Sequence, residues 1–231
     1  MQKRLAPIFF LLTVIMACNN RDASPGEEAQ TAVFLDYKVS AEDGKENAVC
    51  LFQIRRGGPE GVAFSLLPPA GVWLDDQAIK PDSTKFMGSY YEASVPLAEF
   101  AGQHTIRAVL PDGRPHNEVF DFQPFSLAGE WSVTQVRRPF TIRLANLPQR
   151  ETRLRLVMID TAFASADVNE FVGVVNGQLD VTQAMLDNLV DGPVMVELYR
   201  EQEKRLKPGP RLGGAISIIY GLKREFELVA E

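Results

Sequence analysis

"HTIRAVLPDGRPHNEVFDFQPF", residues 104–125, holds two apolar-rich runs on either side of a turn. His104, Ile106 and Ala108 fall on one face of the first run, the period-two spacing of a half-buried strand. Between the runs, Asp112-Gly113 supplies the positive-φ residues that a tight hairpin turn requires. The same alternation recurs upstream. In "AVFLDYKVS" (32–40) Val33, Leu35, Tyr37 and Val39 share a face, with Asp36 and Lys38 opposite. In "AVCLFQI" (48–54) Ala48, Cys50, Phe52 and Ile54 do so. Further strands are predicted at "VAFSLL" (62–67), "GVWL" (71–74) and "SYYEASV" (89–95). Seven short strands punctuated by turns within residues 31–125 predict a Greek-key β-sandwich.

Pro, Gly and polar residues in "PFSLAGEWSV" place a domain boundary near Ser126, and a second β-rich region fills 126–231. Its predicted strands are "FTIRLA", "TRLRLVMID", "EFVGVV", "QLDV", "PVMVELYRE" and "AISIIYGL" continuing into "REFELV". Asn176-Gly177 gives another hairpin turn. One short helix is expected at "QAMLDNLV", capped by Thr182, with Met185 and Leu189 on one face and Gly192 ending it. The expected fold is all-β, with two consecutive β-sandwich domains.

The stretch "FAGQHTIRAVLPDGR" resembles the penultimate strand and hairpin of bacterial immunoglobulin-like modules, in which a glycine precedes an "hT" strand that ends in a "DG" turn. That resemblance covers residues 31–125, implies an immunoglobulin-like sandwich and names no ligand. Such domains often carry an inward cysteine on the second strand, where Cys50 lies, but its usual partner is missing from the strand of Ile106 and Ala108. Cys50 is therefore expected to be a buried, inert thiol.

Ahead of these domains, Lys3 and Arg4 precede an apolar run from Leu5 to Ala17 that reads as a secretory signal over 1–17. As a helix that run reaches only about 20 Å, short of a bilayer's hydrocarbon core of roughly 30 Å. Ile15, Met16 and Ala17 before Cys18 resemble a bacterial lipobox, which implies a lipidated Cys18 as the mature N-terminus. Several acyl chains on one residue give stable anchoring. Asn19 stands where an inner-membrane retention signal has Asp, so the expected location is the outer membrane. Residues 18–30, including "NNRDASPGEEAQ", lack a large apolar side chain and form a tether, whose twelve flexible residues span about 19 Å. Together, lipobox, tether and two β domains resemble outer-membrane lipoproteins of the Bacteroidota, a grouping that implies no activity.

Loss of residues 1–17 removes two cations and no acid, leaving 22 basic and 30 acidic residues, or −8. An acidic surface of this kind opposes nucleic-acid binding. Catalysis finds little support. His104 aligns with apolar neighbours, and His116 lies beside Asp112 and Glu118 at a spacing that suits no metal site. No nucleophile elbow, phosphate loop, dinucleotide fingerprint or zinc-protease motif occurs. Asp160, Asp167, Asn169 and Glu170 place oxygen ligands in an expected loop, but their spacing matches no EF-hand. No cofactor or metal is implied.

Two features point to recognition. Trp73, Tyr90 and Tyr91 are candidates for aromatic contact with a sugar, although neighbours on a strand face opposite ways. "REQEKRLKPGPR" (200–211) carries Arg200, Lys204, Arg205, Lys207 and Arg211 and is expected to protrude as a loop that touches a partner. The sequence thus predicts a lipid-anchored, non-catalytic binding or scaffolding module of the cell envelope, facing a protein or glycan partner. The alternatives are a carbohydrate-binding accessory lipoprotein and, third, an envelope enzyme.

Overall fold

A computed structural model describes residues 32–148, 153–162, 164, 166–209 and 212–230. The signal segment, Cys18 and the tether lie outside the described residues. Nine strands fill the first half: β1 (Val33–Glu42), β2 (Asn47–Arg56), β3 (Val62–Ala63), β4 (Gly71–Leu74), β5 (Gln77–Ile79), β6 (Pro81–Thr84), β7 (Gly88–Pro96), β8 (Gly102–Val109) and β9 (Pro115–Phe122). They form two hydrogen-bonded layers, β1-β2-β7-β6, with β3 also paired to β2, and β5-β4-β8-β9. This is the strand order of an immunoglobulin-like sandwich, A-B-E-D against C′-C-F-G. The expected alternation of β1 and β2 holds: Leu35, Tyr37 and Val39 pack inward with Ala48, Cys50, Phe52 and Ile54. Ile106, Ala108, Phe120 and Phe122 face them from the other layer. "VAFSLL" contributes only β3, because the Leu66 N–H leaves the sheet to donate to the Tyr91 hydroxyl at 2.7 Å.

The second half contains β10 (Ser126–Leu127), β11 (Thr134–Val136), β12 (Phe140–Ala145), β13 (Arg153–Asp160), β14 (Val168–Val175), β15 (Gln178–Val181), α1 (Gln183–Asp187), β16 (Gly192–Gly209) and β17 (Leu212–Val229). One sheet runs β10-β12-β15-β14-β13-β16-β17, with β11 added in parallel to β17. The sheet folds over on itself, so that Phe140 of β12 meets Phe226 of β17 edge-on at 5.7 Å. Asn176 and Gly177 both have positive φ in the β14–β15 turn, and a Cβ on Gly177 would lie 2.7 Å from the Leu144 carbonyl oxygen. The helix is capped as expected, with Thr182 Oγ1 accepting from Met185 N at 3.4 Å, and Met185, Leu186 and Leu189 are buried. Arg137 fastens it by donating to the carbonyls of Leu186 and Leu189.

The final hairpin joins both halves. Its basal part, Gly192–Tyr199 with Gly221–Leu228, pairs with β13 and packs in the second half. Its distal part runs beside the first sandwich, where Leu212–Gly221 pair in parallel with the whole of β1. By pairing, this end of the 126–231 region belongs to the sheet of the 31–125 strands. Polar side chains pin the crossing point. Lys223 reaches Glu42 at 3.3 Å and Glu197 at 3.0 Å, while Arg224 meets Asp43 at 2.6 Å. The buried side chains of the two halves form one continuous cluster.

Candidate binding cleft

The segment expected to protrude as a loop is strand instead: Arg200–Leu206 pair in register with Tyr220–Gly214. The reason is strand alternation with polar residues. Arg200, Gln202, Lys204 and Leu206 lie on the side of Tyr220, Ile218, Ile216 and Gly214, and Leu206 is buried. Gly214 must be small, since a Cβ there would stand 2.6 Å from the Leu35 carbonyl oxygen. Arg200 is buried too, donating to the Gln123 carbonyl oxygen at 3.1 Å. Lys204 and Arg205 are exposed, Lys207 lies in the strand, and Arg211 falls outside the described residues.

Beyond Tyr199, no pairing of β13 with β16 is seen among the described residues, so Glu201–Leu206 present a strand edge without a described partner. The outer edge of β9 is likewise unpaired among the described residues. Between these edges lies a cleft of about 970 Å³. Glu118–Asp121 form one wall, Arg200–Lys204 the other, and Ile216–Ile219 the floor, with Arg153 and Phe171 at the mouth. A 2.5 Å ion pair from Lys204 Nζ to Glu118 Oε1 spans it. The Arg153 guanidinium covers the Phe171 ring at 4.6 Å, and Arg155 bonds Glu201 at 3.1 Å. Walls with both signs of charge, next to exposed Val119 and Phe171, suit a ligand that offers backbone groups and mixed side chains. Beneath the cleft, the Tyr37 hydroxyl is buried without a hydrogen-bond partner among the described residues. Burial and then the Glu118 carboxylate push its pKa far up.

Among the expected contact residues, the cleft gathers Arg200 and Lys204. The aromatic trio is not brought together. Tyr91 is core, with its hydroxyl held by Leu66 N, and Tyr90 lies on the neighbouring outer face with its hydroxyl 3.2 Å from Asp82. Trp73 belongs to the other layer, its ring covered by the Arg107 guanidinium at 4.0 Å. Opposite pleat faces and separate sheets account for the split. Sequence reasoning missed Asp121, Arg153, Phe171 and Gln202 as cleft residues. Val119 and Phe171, apolar residues among polar neighbours on their strand faces, were the available signal.

The remaining candidates are spoken for. His104 Nδ1 lies 2.6 Å from Asp75 Oδ2 and Nε2 lies 2.9 Å from the Phe100 carbonyl, with the ring stacked on Phe100 at 4.0 Å. His116 is on β9, beside the turn, opposite Ala108. Cys50 is a free, fully buried thiol, as expected, and burial followed by Asp75 pushes its pKa up to about 12. Asn169 and Glu170 belong to β14, and Asp160 turns inward to accept from Ala164 N at 3.0 Å. Among the described residues no three His, Cys, Asp or Glu side chains cluster as metal ligands.

No protein-family model matches the chain, and no curated protein matches its sequence. Among solved structures, DIP-gamma IG1+IG2 overlays with a TM-score of 0.25 at 9% identity, covering 86% of this chain and 95% of that one. The tandem Ig repeats of Dlar give 0.24 at 8% identity, covering 87% and 99%. A Bacteroides ovatus mixed-linkage glucan utilization protein, SGBP-B, in complex with a mixed-linkage heptasaccharide, gives 0.24 at 12%, covering 86% and 61%. Scores this low carry no argument, and the assignment of an immunoglobulin-like sandwich rests on strand order.

Proposed function

We propose that this chain is a non-catalytic binding module, held at the outer membrane by lipid on Cys18, that receives an extended segment of an envelope protein in the cleft between β9 and β16. The observation that carries this reading is the pair of strand edges flanking one cleft, β9 and Glu201–Leu206 of β16, that have no strand partner among the described residues. A strand edge offers unpaired N–H and C=O groups, and an added strand gains main-chain hydrogen bonds while side-chain pockets set specificity. Exposed Lys204 supplies a cationic anchor here, and Glu118, Asp121 and Glu201 the complementary sign, while buried Arg200 is already held by the Gln123 carbonyl. The lipobox and the tether support the anchor. The separated positions of Trp73, Tyr90 and Tyr91 disfavour a stacking platform for glycans.

The test is site-specific photocrosslinking in intact cells, with the photoreactive side chain at Gln202 in the cleft or at exposed Val175 away from it. The reading expects one envelope protein joined at Gln202 through a single short peptide, and nothing comparable at Val175. Equal products at both positions, or none at Gln202, would reject the cleft as the recognition surface. Fatty-acid labelling of the wild type and not of Cys18→Ser checks the anchor separately.

A further inference from the structure

We infer that the loop end of the first sandwich, led by Phe86, rests on the lipid surface and sets the orientation of the whole molecule. The inference builds on the proposed Cys18 anchor. Phe86 is 99% exposed at the β6–β7 turn, beside Met87 at 42%, and Val62 and Leu67 in the β2–β4 connection are each 79% exposed. These tips share one end of the sandwich. Val62 pairs with Arg56 at the finish of β2, and the Gln53 amide holds the Met87 carbonyl at 2.8 Å. A Cβ on Gly88 would touch Ala63 at 3.4 Å. Large apolar side chains exposed together mark a contact surface.

The place where the described chain starts identifies what covers them. The Ala32 carbonyl accepts from Gly57 N at 2.8 Å, so the first described residue lies beside these same loops. The span of about 19 Å expected from sequence for the twelve residues after Cys18 is short enough to keep a lipidated Cys18 and the loop tips at one surface. Exposed Arg56 and Lys85 flank the apolar tips and suit anionic headgroups, with Glu60 the acid in the β2–β3 turn. Aromatic and aliphatic side chains so placed enter the boundary between headgroup and acyl chain. The second half lies at the opposite end, because β17 runs from Leu212 beside Val33, past Gly221 beside Glu42, and onward to Val229. The second half is thereby presented away from the bilayer, with the cleft on the flank of the first sandwich.

The test uses the full lipidated chain in vesicles of phosphatidylethanolamine and phosphatidylglycerol carrying an acyl-chain quencher. An environment-sensitive fluorophore is attached through Phe86→Cys or, in a second variant, Val175→Cys; buried Cys50 stays unlabelled. Both positions are exposed, so neither change costs core packing. The inference expects a blue shift and loss of most emission at position 86, with emission at 175 unchanged. Emission at 86 that ignores the quencher, whether the tip lies in water or against a second copy, overturns it. Flotation with vesicles separates the two readings. If the wild type and Cys18→Ser both fail to float, the anchor fails and this inference with it; if the wild type floats and position 86 stays unquenched, the inference alone fails.

Discussion

The two parts of the β16–β17 hairpin share one ladder and differ in what their side chains do. In the basal part Val194, Val196 and Leu198 of β16 are all buried, opposite buried Phe226 and Leu222 of β17. In the distal part the corresponding positions on β16 are Arg200, Gln202, Lys204 and Leu206, so that β17 supplies most of the apolar face through Ile216, Ile218 and Tyr220, and β16 adds only Leu206. The basal part is built to hold the second half together. The distal part seals the β1 edge of the first sandwich with one strand and leaves Glu201–Leu206 of the next without a strand partner among the described residues. An exposed edge strand with charged side chains resists indiscriminate pairing yet keeps its backbone groups available.

This comparison breaks if the two parts respond alike to truncation. Leu198→Ala, in the fully buried basal layer, is expected to cost about 2–5 kcal/mol. Leu206→Ala, at the solvent-facing edge, should fall at or below about 2 kcal/mol because an edge strand collapses more easily onto the gap. Chemical denaturation of both variants checks the ranking, and equal losses would contradict it. Tyr37→Phe sharpens the account of the distal part. A buried hydroxyl without a partner costs about 1–3 kcal/mol, and removing it leaves the edge-on contact with Phe52 at 5.3 Å intact. The variant should be more stable by about 1 kcal/mol, and a clear loss of stability would reveal a partner for that oxygen.

Smaller still is the acid response of the crossing point. Burial pushes the Glu197 carboxyl up, but the Tyr199 hydroxyl at 2.6 Å and Lys223 at 3.0 Å outweigh it and hold it below its ordinary value of 4.5. A depressed carboxylate contributes stability that is present above its unfolded value and lost as pH falls through the folded one. Glu197→Gln should therefore lower Tm near neutrality and lessen the decline below about pH 4.5, whereas parallel Tm profiles would remove Glu197 from that response. The smallest stability effect belongs to Lys204→Ser. Its pair with Glu118 is largely exposed on the lysine side, so the change should stay within about 0.5 kcal/mol while partner binding weakens and loses part of its salt dependence.

Legibility follows the same divide. Alternation exposed β1, β2, β8, β9 and the basal hairpin, because in those strands one face is core. It could not show β5 or β6, whose "QAI" and "PDST" are almost wholly exposed and carry no period-two signal. The distal strand failed for a related reason. Arg200, Gln202 and Lys204 follow a strand period but are polar, and Pro208 with Gly209 resembles turn chemistry. Two cations of the cleft, Arg200 and Lys204, were singled out from composition. Their opposite wall on β9 was not, because it comes from the other half of the chain and only the parallel pairing of β17 with β1 brings the two together. The Cys50 environment was readable since its whole strand face is apolar.

Residue-resolved amide hydrogen exchange on the full chain, free and with the crosslinked partner segment added, tests the central claim most directly. In an antiparallel edge strand, alternate N–H groups point to the paired neighbour and the others point outward. The account predicts slow exchange at alternate amides from Arg200 to Leu206 in the free protein, and new protection of the intervening set, or of the outward set on β9, in the complex. Uniformly fast exchange from Arg200 to Leu206 would contradict the strand, and a complex that protects neither edge would contradict the cleft as the place where the partner adds.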